Sequence, residues 1–273
     1  MKKLQILVFS LLLVGQSFAQ PDLQKLQQEY ISRKPLLDSM HAYPDVPFDS
    51  LKVTNKEGIS ISFWWMPQGE NKGTVLLVHG FMMNKSDMLS RAKIYYDLGY
   101  NVIVMDLRAR GQSGGTAATS GPEIRSDVIA VMDYYGSHLK QFGKLILAGY
   151  SHGGRSVVFA AEKKPGDVQA IILESIPYSL SASFRRTYKM EPPPIPEGNM
   201  PEAFHAISGV PVLLMTGDSD EIIVPEEAGE IRNSNKNTLS QFMMFKATGH
   251  NLFVEKNRKL YSETIKSFLA ALH

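Results

Sequence analysis

The stretch Lys144–Ala161, KLILAGYSHGGRSVVFAA, restricts the fold of this chain more than any other. Lys144–Ala148 is a short apolar run of the kind a strand buried on both faces needs. Gly149-Tyr150-Ser151-His152-Gly153 then forms a G-x-S-x-G turn. From Gly154 onward the residues are small, and Val157, Val158 and Ala161 share a helix face that can lie on a sheet. Strand, sharp turn and helix in that order bring the helix close across the strand. A Cβ at 149 or 153 would collide there, which accounts for both glycines. Such a turn strains the backbone at Ser151 and lifts its hydroxyl out at the carboxyl end of the sheet. The positive end of the following helix lies beside it.

The rest of the chain supplies the sheet. Leu51–Thr54 and Ile59–Trp65 flank Asn55-Lys56-Glu57-Gly58, a hairpin signal. Buried-strand runs follow at Thr74–His79, Asn101–Asp106, Lys144–Ala148, Ala170–Glu174, Val212–Thr216 and Gln241–Phe245. Helical patterns lie between them at Ser86–Leu98, Pro122–Phe142 and from Gly154, and Leu252–Leu272 closes the chain. After an antiparallel opening, strands alternate with helices. That order predicts an α/β fold with a mostly parallel, eight-stranded sheet covered by helices on both faces. With 273 residues, 44% of them hydrophobic, one domain over 51–273 has enough apolar side chains for its core. The connection between Glu174 and Val212 is longer than an ordinary βα link. Its proline run, Pro192-Pro193-Pro194-Ile195-Pro196, excludes one long helix. It is read as a small lid, about 176–209, over the strand ends; the plainer alternative is a surface excursion with one helix near Pro201–Ile207.

The N-terminus reads differently. Lys2 and Lys3, the apolar Leu4–Val14 and the small-residue site Ser17-Phe18-Ala19 describe a signal peptide over 1–19, followed by a polar helix or arm over 20–50. The apolar run is short for a membrane span, so stable membrane insertion is not expected. Export to the periplasm or medium is. The chain has no cysteine, which excludes a thiol nucleophile. There are 29 Lys and Arg against 27 Asp and Glu, so loss of Lys2 and Lys3 leaves the mature chain near neutral. No basic stripe for nucleic acid appears. No metal-ligand spacing or phosphate-cradling loop appears either, so neither a metal nor a cofactor is expected.

Several segments recur together in one order: LLVHGF (Leu76–Phe81), VMDLRARGQSGG (Val104–Gly115), LAGYSHGG (Leu147–Gly154), MTGDSDEIIVP (Met215–Pro225) and ATGHNLF (Ala247–Phe253). In these the chain resembles the α/β-hydrolase superfamily, its serine, esterase-like branch, from about Leu51 to the C-terminus. The resemblance implies Ser151 as nucleophile, His250 as base and Asp220 as the acid that steadies the imidazole, with Asp218 in the same loop as the alternative. It implies an oxyanion hole from the backbone N–H groups of Phe81 and His152, with Met82 a substitute for Phe81. The chain departs from the family at Ala109-Arg110, where Gly-His is common; this is expected to affect local packing more than activity. Met82, Tyr150 and Tyr178 are candidate substrate-binding residues, and Phe81, Met83, Phe184 and Met190 further candidate pocket walls. Ordinary packing is the competing explanation for each.

A serine is acylated by substrate, whereas the Asp at this position in related dehalogenases and epoxide hydrolases is alkylated. Ser151 therefore points to acyl transfer on a small-molecule substrate: a carboxylic ester, a thioester or, less often, an amide. The alternatives are a peptidase or acyltransferase acting on envelope components, and a non-catalytic binding member of the fold. The sequence leaves the oligomeric state open.

Overall fold

The computed structural model describes residues 46–272 apart from 70–71, 82, 117–121, 193 and 251. The signal-peptide reading, nearly all of the proposed arm, and Met82 lie outside these residues.

The expected hairpin forms from β1 (Asp49–Thr54) and β2 (Ser60–Met66), paired antiparallel with Leu51 opposite Phe63. The buried apolar runs become β3 (Thr74–Val78), β4 (Asn101–Met105), β5 (Leu145–Tyr150), β6 (Ala170–Glu174), β7 (Val212–Gly217) and β8 (Gln241–Phe245). They join one eight-stranded sheet in the order β1-β2-β4-β3-β5-β6-β7-β8. β2 runs antiparallel to β4, and every later pairing is parallel.

Alternating side chains feed two cores. On one face Leu76, Leu147 and Leu173 pack against α2 (Arg125–His138) and α3 (His152–Lys163). On the other, Leu77, Ile146 and Ile172 pack against α1 (Leu89–Asp97) and α7 (Phe253–Ala270). The predicted helix at Ser86–Leu98 begins as a 3₁₀ turn over Lys85–Met88, with Asn84 capping it, before α1 takes over. Among the described residues no helix is long and apolar enough to cross a membrane.

Two helices fill the insertion between β6 and β7. α4 (Leu180–Tyr188) was not foreseen as a separate helix; α5 (Met200–Ala206) matches the one expected near Pro201. A further unforeseen helix, α6 (Pro225–Ser234), follows β7, with Pro225 in its first turn where a missing N–H costs nothing.

The strand order reverses around β3, with β4 on one side and β5 on the other. In open α/β sheets a crevice opens at such a point, outside the carboxyl ends of the strands. His79-Gly80-Phe81 leaves β3 there, and Ser151 leaves β5 there.

Candidate active site

Ser151 sits between β5 and α3 with φ 50° and ψ −122°, a left-handed conformation that costs a non-glycine residue about 1–3 kcal/mol. Its N–H donates to the Glu174 carbonyl at 2.9 Å, and Gly154 N–H donates to the Ser151 carbonyl at 3.0 Å. The glycines have the steric role expected of them. A Cβ on Gly153 would lie 2.3 Å from the His79 carbonyl oxygen, and one on Gly149 would lie 2.5 Å from the Gly154 Cα.

A cavity of about 570 Å³ opens over this turn. Ser151, His152, Phe81, Tyr150 and His250 all line it. His250 follows β8, and its Nδ1 lies 2.8 Å from Oδ2 of Asp220. Asp220 is buried, and its other oxygen accepts N–H bonds from Ile222 at 3.0 Å and Ile223 at 2.8 Å. Burial alone would raise its pKa. The hydrogen bond and charge of His250, the Ile223 N–H and the Ser175 hydroxyl outweigh burial and hold the carboxyl below the usual range. Asp218 is exposed and bonds the neighbouring Ser219 hydroxyl, so of the two loop acids it is Asp220 that meets the imidazole.

The loop after β3 is held from inside. The Leu107 N–H donates to Nε2 of His79 at 3.1 Å, which leaves Nδ1 carrying the proton. Nδ1 then donates to the Gly80 carbonyl at 2.7 Å. Burial keeps this ring neutral, with its pKa lowered to about 4. No described peptide is cis. The N–H of Phe81 therefore points opposite the Gly80 carbonyl that His79 holds. His152 opens α3, and the first N–H groups of a helix have no partner within it. The rings of Phe81 and His152 meet edge to face at 5.7 Å.

The remaining cavity wall is mostly apolar: Met83, Leu180, Phe184, Tyr188, Ile195 and Ile223. Tyr178 and Met190, expected here, are not part of it. The Tyr178 ring packs on the core under α3 instead, because its backbone is drawn inward. Its N–H donates to Glu227 at 2.7 Å and its carbonyl accepts from Arg155 at 2.8 Å.

Arg155 was not assigned a role by sequence, although an arginine between the glycines and the apolar Val157–Ala161 run of this helix was the available signal. It is buried in α3 and donates to the carbonyls of Pro177 at 2.9 Å, Tyr178 and Glu197. Burial lowers its pKa to about 10 against the opposing pull of Glu197 and Glu227. The Glu197 carboxylate in turn accepts from the N–H groups of Leu180 and Ser181, both at 2.7 Å, at the start of α4. At the far side of α4, Arg186 pairs with Glu227 and donates to the Ile222 carbonyl at 2.8 Å. Beneath the cavity, Arg91 pairs with Glu174, which also accepts from Tyr261 at 2.9 Å.

Known proteins share this arrangement of strands and loops. The family model described as "Serine aminopeptidase, S33" matches residues 69–191. The Pyrococcus furiosus esterase Pf2001 superposes with a TM-score of 0.76 at 21% identity, covering 84% of this chain and 92% of that one. The chain has the fold of the α/β hydrolases. A thermophilic esterase from Thermogutta terrifontis gives a TM-score of 0.62 at 22% identity over 82% of this chain and 99% of its own. Relatives by sequence include the protein bem46 of Schizosaccharomyces pombe, 23% identical over 67% of this chain and 64% of its own length. YqkD of Bacillus subtilis, uncharacterized, is 22% identical over 85% of this chain and 82% of its own length.

Proposed function

We propose that this protein is an α/β-hydrolase family member, a serine hydrolase that cleaves carboxylic esters or related acyl substrates through an acyl-enzyme. One observation carries the reading: the Asp220–His250 pair at 2.8 Å lines up behind a cavity that also contains Ser151 on its strained turn. A serine hydroxyl attacks poorly until a base removes its proton. In the proposed reaction Nε2 of His250 takes the Ser151 proton as Oγ bonds to the acyl carbon. Asp220 accepts the Nδ1 proton in a hydrogen bond and stabilises the imidazolium. The carbonyl oxygen, now an anion, is received by the N–H groups of Phe81 and His152. When the intermediate collapses, the carbon–oxygen bond to the leaving alcohol breaks and His250 returns its proton to that oxygen. Water then repeats the sequence on the acyl-enzyme and releases the acid.

The apolar wall of Met83, Leu180, Phe184 and Tyr188 favours an uncharged acyl chain. A second reading, aminopeptidase, has its own support in the matched family description and in two carboxylates, Asp87 and Glu255, that also line the cavity. An aminopeptidase needs such groups to hold the substrate ammonium. A panel of p-nitrophenyl esters against aminoacyl anilides separates the two. The proposal expects turnover of the esters, with kcat lowered by about four to six orders of magnitude in Ser151→Ala. Turnover of anilides alone would transfer the site to peptides, and full activity in Ser151→Ala would remove the mechanism. Export is proposed from the sequence of Met1–Ala19; a secreted product beginning at Gln20 would support it, and an uncleaved chain retained in the cytosol would contradict it.

A further inference from the structure

The Ala109-Arg110 departure lies against the site. Arg110 follows Ala109, whose φ is 53°, in a tight turn after β4. The turn is rigid. Ala109 N–H donates to the Gly114 carbonyl at 2.8 Å, and Arg110 N–H to the Leu107 carbonyl at 3.1 Å. The buried Asp106 carboxylate accepts from Gln112 N–H at 2.9 Å and pairs with Lys85 at 2.6 Å.

From this base the Arg110 side chain reaches the loop after β3. It is only 3% exposed. Its Nε donates to the Phe81 carbonyl at 2.9 Å, and its Nη1 to the Ala109 carbonyl at 2.9 Å. Its guanidinium carbon lies 5.1 Å from the centre of the Phe81 ring. The Phe81 ring also meets the His152 ring edge to face. Phe81 thus lies between two carbonyls, its own and that of Gly80, each bonded to a buried donor, Arg110 and His79.

We infer that Arg110 is a positioning residue for the oxyanion-binding loop, its buried guanidinium fixing the main chain and ring of Phe81 where a developing oxyanion needs the Phe81 N–H. This inference rests on the proposed acyl-transfer reading. A charged donor to a carbonyl is stronger than a neutral one, and a planar guanidinium stacks on the ring while it bonds. A lysine offers a point charge and one bond but no such stacking. Preorganised donors act only as charge develops on the substrate oxygen, so a loosened loop lowers kcat more than it changes ground-state binding.

The test uses the full chain and hydrolysis of p-nitrophenyl butyrate. Arg110→Met should lower kcat about 30-fold with KM held within about 3-fold, less than the loss from removing an oxyanion donor outright. Guanidinium ion added to Arg110→Met should restore part of kcat, and Arg110→Lys should fall between the two. A kcat within about 2-fold of the native value would overturn the inference, as would a fall matched by an equal rise in KM and unmoved by guanidinium. Should Arg110→Met fail to fold, Arg110→Lys carries the same split: a loss confined to kcat supports the inference, and native kcat overturns it. Ser151→Ala run alongside keeps the two claims apart. Its full activity would sink the acyl-transfer reading; its inactivity beside a normal Arg110→Met would sink only the role given to Arg110.

Discussion

Ser151 occupies a backbone conformation that no local preference favours, and the surrounding contacts enforce it. Its N–H is taken by the Glu174 carbonyl, and glycines on both sides let α3 approach β5 and β3. Strain held this way persists only where the neighbours over-determine it. The acid is set by similar detail. Asp220 and Asp218 share one loop, but Asp218 is exposed and only Asp220 turns inward to His250. The account predicts that Asp220→Asn lowers kcat by about 10⁴, as loss of the tautomer-fixing carboxylate does in other triads. Asp218→Asn should stay within about 2-fold, as expected for an exposed side chain away from the reacting groups. Steady-state kinetics on both variants checks this; equal losses would mean that the loop, not the carboxylate, matters.

At the scale of elements, the insertion is fastened rather than loose. Arg155 ties the start of the insertion, at Pro177 and Tyr178, and Glu197 to α3, and Arg186 ties α4 to the loop that carries Asp220. The apolar face of α4 is thereby held as a wall of the cavity. Arg155→Met keeps the volume and removes the donors, leaving three carbonyls short of a partner. A hydrogen bond from a charged donor contributes about 1.5–3 kcal/mol. The variant should unfold at correspondingly lower urea, and limited proteolysis should cut first within 176–199. Native-like resistance there would show that other contacts hold α4. These fastenings also explain what the sequence did not reveal. The strands were legible because each is an uninterrupted apolar run between turn residues. α4 and α6 were not, because LSASFRRTY and PEEAGEIRNS are short and mostly polar, and it is long-range partners such as Glu227 that secure them. Tyr178 was misplaced for the same reason: its direction follows from Arg155 and Glu227, not from its neighbours in the chain.

For the molecule as a whole, the reversal of strand order around β3 brings the loops from β3, β5, β7 and β8 to one end of the sheet. The loops that carry Ser151, Asp220 and His250 were legible because each follows an apolar strand of that sheet. What the motifs could not convey was the buried support, including His79 and Arg110, since a ring or guanidinium acquires such a role only from folded neighbours. His79 has a consequence for global stability. An unfolded histidine protonates near pH 6.5, but the folded ring stays neutral down to about pH 4. Between those values the unfolded chain binds a proton that the folded chain does not. Stability is therefore complete above about pH 6.5 and falls as pH drops toward 4, by ~3 kcal/mol in all from this group. Urea midpoints measured from pH 7.5 to 4 should show that slope, and His79→Gln should lose it; an unchanged slope in the variant would assign it elsewhere. The central claim is that the Ser151 hydroxyl is activated by the His250–Asp220 pair. Its most direct test is reaction with a fluorophosphonate followed by peptide mass spectrometry. The account predicts one adduct, on the peptide containing Ser151, formed far more slowly in His250→Ala. An adduct on another residue, or labelling at the native rate without His250, would contradict it.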